Sequence, residues 1–243
     1  MGEKANRGVI FFAKGSRHVN SVIKAAKSIK DFNDLKIHVF SDKEVRSEYI
    51  DSYEIIDISK KLKSNKIQSL SQTPFDQTIY LDTDIRVVNP IDELFSLLGK
   101  YDLAVCHAHN RVSTHNKFNY NQAIPYSFPQ LNTGVIVFNR NKQTQTLFDK
   151  WEKEFEERNV NKDQVPFREL LWELDINFFV LPPEYNIRHK RKFLTWHKKE
   201  ITPKILHHYK YTHSMVTFNS IKMITRSVMN NLNISRFLKY YFK

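Results

Sequence analysis

Gln77-Thr78-Ile79-Tyr80-Leu81-Asp82-Thr83-Asp84 is an apolar run that ends abruptly in two carboxylates. Ile, Tyr and Leu suit a pleated, packed strand. Residues two apart on an extended chain point to the same side, so Asp82 and Asp84 can converge. Two close carboxylates repel unless a cation or a shared proton lies between them. In a parallel α/β sheet the strand ends are also where ligands bind. The stretch therefore implies a divalent metal that holds a phosphorylated ligand, and with it an enzyme.

The residues on either side extend the pattern. Arg7 to Phe12 reads as a first strand, followed by a helix with Val22, Ile23, Ala26 and Ile29 at helical spacing. Leu35–Phe40 and Tyr53–Ile58 read as further strands, and Asn65–Leu70 as a short helix. Beyond the carboxylates, Val87–Phe95 turns into a short helix, and Leu103–Cys106 and Val135–Phe138 are strands. A polar, aromatic loop, His107 to Gln130, separates those two strands; a loop of that length is usually functional. Lys142–Arg158 is a charged helix, and Asn177–Leu181 is a strand ended by Pro182-Pro183. Alternation of this kind indicates a mostly parallel sheet with covering helices.

Composition narrows the chemistry. At 243 residues with 41% apolar content, the chain can build a real core. Five glycines and no G-x-G-x-x-G or Walker-type loop argue against a Gly-rich dinucleotide or P-loop site. The single cysteine, Cys106, excludes an intramolecular disulfide and a Cys-based zinc cluster. Neither a secretory signal nor a run long enough to span a bilayer is visible, and the expected location is cytoplasmic. Charge is uneven. Residues 1–185 balance 25 Lys and Arg against 25 acids, whereas 186–243 carry 13 against the single acid Glu200, and so the whole +12. That asymmetry points to an anionic surface as partner.

Four features in order resemble the GT-A superfamily of nucleotide-sugar glycosyltransferases, in particular its family 8-type enzymes. They are Ser64-Asn65-Lys66 ahead of Thr78–Asp84, then Leu131–Asn139, then Asp163-Gln164, and finally Ile205–Lys210. The resemblance implies a three-layer, Rossmann-like α/β fold with a central mixed, mostly parallel sheet. It covers roughly residues 7–212, and implies a transferase domain over 1–212 with 213–243 as a basic amphipathic helical tail. The implied activity is transfer of a hexose from a nucleotide diphosphate sugar, most commonly a UDP-sugar, to an acceptor hydroxyl on a glycan or glycolipid precursor.

Roles follow residue by residue. Asp82 and Asp84 offer oxygen ligands for Mn2+ or Mg2+, and the resemblance adds His207, whose imidazole favours Mn2+. His208 is the adjacent fallback. Lys66 would offset the charge of the departing diphosphate. Phe12, Ala13 and Lys14, at the first strand end, are where such folds seat the base and ribose, and Thr83 lies between the two carboxylates. Asn132 would bind sugar hydroxyls and Gly134 would leave space for the sugar; both are also ordinary turn residues. Asp163 and Gln164 are the catalytic candidates. In an inverting enzyme Asp163 would act as base; in a retaining one, which the family 8 resemblance favours, the pair would stabilise an oxocarbenium-like state. Asp163 could equally be a helix N-cap ahead of Pro166. Lys210 could meet phosphate, but the chain departs from the family here. The family's His is followed by a Gly and then a Lys, and this sequence has Lys210 and His213 at those positions.

In the tail, Ile221, Ile224, Val228 and Leu232 recur at helical spacing among basic residues, and Tyr240-Tyr241-Phe242 follow. Residues 219–243 suit either an anchor on an anionic membrane surface or a helix packed on the domain. No nucleic-acid motif accompanies the charge. Two other readings of the D-x-D are a haloacid-dehalogenase-type phosphatase and a non-catalytic nucleotide- or membrane-binding domain. The phosphatase class wants Thr or Val where Arg86 stands, and it carries its motif on the first strand.

Overall fold

The computed structural model describes residues 6–57, 62–109, 124–158, 162–188 and 201–208. Strand β1, Arg7–Ala13, is buried from its second residue onward. Its side chains alternate: Val9, Phe11 and Ala13 enter one apolar cluster, and Ile10 and Phe12 enter another. A strand buried on both faces needs a covering layer on each. Helix α1, Gly15–Lys30, covers the first face through Val22, Ala25, Ala26 and Ile29. Helices α2 (Leu62–Ser71), α3 (Lys142–Glu157) and α4 (Gln164–Glu173) cover the second, with Ile67, Trp151 and Phe167 at its centre. The result is the expected three-layer α/β arrangement.

Between the layers lies a seven-stranded mixed sheet in the order β3-β2-β1-β4-β7-β6-β8. Its remaining members are β2 (Lys36–Ser41), β3 (Ser52–Ile55), β4 (Gln77–Leu81), β6 (Leu103–His107), β7 (Leu131–Asn139) and β8 (Phe178–Leu181). Only β7 runs antiparallel to its neighbours, β4 and β6. The chain builds β1, β2 and β3 outward in one direction, then returns to place β4 on the other side of β1. The carboxyl ends of β1 and β4 therefore flank a topological switch point, where open α/β sheets bind ligands.

Three details differ from expectation. Strand β7 begins at Leu131, because Leu131 and Asn132 pair with His107 and Cys106 beyond a register shift in β6. Asn132 and Gly134 thus sit inside a strand. A second, two-stranded sheet pairs β5 (Ile85–Val87) with β9 (Ile205–His207), each three residues long and too short to reveal a period. Finally, the carboxylates lie in a turn rather than in an extension of β4.

The segment from 213 to 243, the 212/213 boundary, Lys210 and His213 lie outside the described residues, as does 110–123 of the long loop. No described helix is long and apolar enough to cross a membrane.

Candidate active site

At the switch point opens a cavity of about 410 Å³. Asp82 leaves β4 with its backbone N–H donating to the Gly134 carbonyl at 2.9 Å. The turn through Thr83 then brings Asp84 back beside it. Ile85 pairs with His207 across the small sheet, which delivers an imidazole from far along the chain to the same point. Ligand atoms of Asp82, Asp84 and His207 all lie within 4.8 Å of one another. His207 Nε2 stands 3.1 Å from Asp84 Oδ1 and 3.5 Å from Asp82 Oδ2.

A chain of hydrogen bonds sets the tautomer of that imidazole. The Gly134 N–H can only donate, and it meets Asn132 Oδ1 at 3.1 Å. Asn132 Oδ1 is therefore an acceptor for its second contact, Asn186 Nδ2 at 2.7 Å. That leaves Asn186 Oδ1 facing His207 Nδ1 at 2.7 Å, so Nδ1 carries the proton and donates it. In the neutral ring Nε2 keeps its lone pair, aimed at the two carboxylates. Two carboxylates and an imidazole oriented through its other nitrogen form a donor set suited to Mn2+ or a similar divalent ion. The residues present fit such an ion.

Lys66 is not the exposed lysine that a short polar helix suggests. It is buried, and its ammonium donates to the Thr133 carbonyl at 2.8 Å and contacts Asp82 Oδ1 at 3.1 Å and Asp163 Oδ2 at 3.5 Å. Thr133 Oγ1 donates to the same Asp163 oxygen at 2.8 Å. Asp163 does stand at the N-cap position of α4, but its side chain makes no capping bond and turns instead into the site. The Trp151 indole N–H holds its backbone carbonyl at 2.8 Å. Tyr80 donates its hydroxyl to Asp82 Oδ1 at 2.9 Å.

The electrostatics follow from this packing. Burial works to lower the Lys66 pKa, but the charges of Asp82 and Asp163 outweigh it and hold the ammonium above its ordinary value. Burial likewise opposes the charged forms of Asp82 and Asp84. Lys66 and His207 overcome it at Asp82, which is held well below the carboxylate range, and His207 overcomes it at Asp84. For His207, burial is outweighed by hydrogen bonds to Asp82 and Asp84, so its pKa is raised. Each charge is in place because its neighbours are.

Most candidates read from the sequence meet here. Phe12, Lys14 and Thr83 line the cavity beside Asp82 and Asp84. Lys66, Asn132, Asp163 and Gln164 line it as well. Ala13 does not: its side chain is buried in the core under α1. Gly134 faces the metal-ligand candidates, because a Cβ there would collide with the His207 ring. His208 ends the described segment and is not part of the three-residue cluster. Sequence reading missed Thr133, Asn186, Arg188 and the His18 ring, whose Nδ1 lies 3.0 Å from Thr83 Oγ1. Thr133 stood within a quoted motif; the other three follow no local pattern that would mark them.

A GT-A-type sheet with two carboxylates and a histidine at its switch point defines a nucleotide-sugar glycosyltransferase. The chain belongs to the nucleotide-diphospho-sugar transferase family, whose model matches residues 26–223. Among solved structures it is similar to the galactosyltransferase LgtC in complex with donor and acceptor sugar analogues. That match has 14% identity and a TM-score of 0.63, covering 91% of this chain and 95% of that one. An active-site glutamine-to-glutamate variant of LgtC matches at 13% identity with the same TM-score of 0.63 and the same coverage, 91% and 95%. The glycosyltransferase GlyE of Streptococcus pneumoniae TIGR4 matches at 18% identity and a TM-score of 0.59, over 97% of this chain and 64% of that one. These identities show the fold. A search of curated proteins found no match. The phosphatase reading is set aside: the carboxylates follow the fourth strand, and the family is one of transferases.

Proposed function

We propose that this glycosyltransferase moves a hexose from a UDP-sugar to a hydroxyl of a glycan or glycolipid precursor, with retention of anomeric configuration. The observation that carries this reading is the joining, in one cavity, of Asp82, Asp84 and His207 with the Lys66–Asp163 pair. Asp82, Asp84 and His207 would hold Mn2+ or Mg2+. When bound, such an ion supplies Lewis-acid stabilisation of the departing diphosphate.

The protein's own groups complete the chemistry. Lys66 is a permanent cation beside Asp82, placed to favour negative charge at the leaving group. Phe12 and the backbone of Ala13, with Lys14, seat the base and ribose at the end of β1. Thr83 is held by His18 and presents the turn to the donor. Asn132 has its oxygen committed to Gly134 and Asn186, so it meets the sugar through its amide N–H groups as a donor. Gly134 acts by making room for the ligand set. Asp163 Oδ2 already accepts from Thr133 and Lys66, which suits a fixed negative charge near an oxocarbenium-like centre better than a proton acceptor. Gln164 lines the cavity next to it and would act on the sugar with Asp163. Lys210 would add a phosphate contact, and 219–243 would hold the enzyme at the anionic cytoplasmic face of a membrane.

A thermal-shift panel of nucleotide sugars, each with and without Mn2+, tests this on wild type and Asp84→Ala. Ligands that bind the native state raise the midpoint by mass action. A UDP-hexose should stand out in a Mn2+-dependent way and lose its effect in the variant. No shift with any donor would overturn the catalytic reading in favour of a non-catalytic domain.

A further inference from the structure

Helices α1 and α4 cover opposite faces of the sheet, and each gives side chains to the same cavity. Asp163 and Gln164 enter it from the start of α4; Arg17, His18 and Ser21 enter it from the first turns of α1. With the sugar at Asp163 and Gln164 and the diphosphate at the carboxylates, the α1 side is left for the nucleoside. Gly15, at φ 79°, passes from β1 to α1 in one step, and its N–H donates to Asp42 Oδ1 at 2.8 Å. The first turn of α1 is thereby set over the strand ends.

From there α1 reaches the turn that carries both carboxylates. His18 Nδ1 lies 3.0 Å from Oγ1 of Thr83, the residue between Asp82 and Asp84. The turn is also held at each end. The Asp82 N–H donates to the Gly134 carbonyl at 2.9 Å, and the Val87 N–H donates to Ser28 Oγ of α1 at 3.0 Å. Further on, the Ile91 N–H donates to Asn33 Oδ1 at 2.8 Å. Ser28 and Asn33 are buried, whereas His18 is exposed and lines the cavity. The downstream bonds thus belong to the core, and the His18–Thr83 bond is the one within reach of a ligand.

The chemistry of the ring selects that ligand. A neutral imidazole has one donor and one acceptor nitrogen, and a protonated one has two donors. A hydroxyl both donates and accepts, so Thr83 Oγ1 satisfies Nδ1 in every one of these forms. With Nδ1 committed there, Nε2 is the nitrogen left to meet a ligand in the cavity. A second hydroxyl would satisfy it equally well. A ribose offers two adjacent hydroxyls, whereas the edges of a base present fixed donors and acceptors.

We infer that His18 is a ribose-binding residue that also positions the turn: Nε2 meets a hydroxyl of the donor's ribose while Nδ1 holds Thr83 between Asp82 and Asp84. This rests on the donor reading above. Hydrogen bonds in a chain polarise one another, so a seated ribose tightens the turn on which two ligand candidates stand. Nucleoside and divalent ion then favour each other through a side chain that is not itself a ligand candidate.

Calorimetric titration tests this with UDP and with 2′,3′-dideoxy-UDP, each in saturating MnCl2, and with MnCl2 alone. Far-UV circular dichroism checks folding. Wild type should prefer UDP over the dideoxy nucleotide roughly five- to tenfold. His18→Phe, a ring without either nitrogen, should bind the two nucleotides alike and bind Mn2+ alone several-fold more weakly. His18→Gln keeps a donor and an acceptor; it should fall between on both counts, and it serves if the Phe variant misfolds. A histidine that only braced the turn would lower Mn2+ affinity and leave the ribose preference intact, which overturns the inference. So does unchanged Mn2+ affinity in His18→Phe, or a wild type that binds both nucleotides alike; the donor reading survives each of these. Wild type that binds Mn2+ but none of UDP, ADP, GDP and CDP overturns the donor reading itself, and this inference with it.

Discussion

The imidazole of His207 fills the space that the absent side chain of Gly134 leaves. A Cβ at residue 134 would collide with the ring and lie 2.6 Å from Asp82 Oδ2. Gly134 sits in the interior of β7, where glycine weakens a strand, so its cost is local and its return is the approach of two ligand candidates. Gly134→Ala should therefore reduce Mn2+ affinity and lower stability by about 1–3 kcal/mol, the usual range for overpacking. Denaturant melts and Mn2+ titration of the variant check this; wild-type values for both would refute the steric account.

Asn186 acts one step removed. By accepting from Nδ1 it leaves Nε2 free for the cluster. Asn186→Ala should weaken Mn2+ binding by roughly ten- to hundred-fold, as other partners of metal-bound histidines do. Unaltered affinity would mean that packing alone orients the ring.

Lys66 sits buried between two carboxylates, Asp82 and Asp163. Lys66→Met leaves Asp163 and Asp82 without their counter-ion and should cost about 3 kcal/mol or more of stability. Adding Asp163→Asn should restore part of that loss, because the two residues share one network. Additive losses in the double variant would show that the pair is not coupled.

His38 gives a pH signature away from the site. Its Nδ1 bonds Ser52 Oγ at 2.8 Å while Nε2 is buried with no hydrogen-bond partner among the described residues, and burial lowers its pKa from the ordinary 6.5. The unfolded chain then takes up a proton that the folded chain refuses. The contribution of the neutral ring is complete above about pH 6.5 and falls as pH drops towards the lowered folded value. His38→Gln should flatten that part of the stability profile in urea melts; an unchanged slope would assign it to other groups.

A capping box starts α3: Asn141 Oδ1 accepts from the Thr144 N–H at 3.0 Å, and Thr144 Oγ1 accepts from the Asn141 N–H at 3.2 Å. Asn141→Ala should cost about 1 kcal/mol and leave Mn2+ affinity unchanged. It is a control for the site variants, and a change in metal binding would show that α3 transmits strain to the cavity.

Sequence alone determined what local chemistry can announce. The run from Thr78 to Leu81 is apolar on both faces and announces a central strand. Alternating strands and helices announce the layered sheet. Asp82 and Asp84 announce the cation, since paired carboxylates need one. Only the tertiary structure decided the rest. His207 was named by the family resemblance, but the route that brings it beside Asp84 is a three-residue strand pairing with no period to read. Asp163 looks like a helix cap and is instead the partner of Lys66, because a buried ammonium draws in the nearest carboxylate. Gly134 reads as a turn residue and is a vacancy for an imidazole. Asn186 and His18 carry no signal at all in one dimension. Their roles arise from hydrogen-bond partners far away along the chain, and such partners exist only once the sheet has closed.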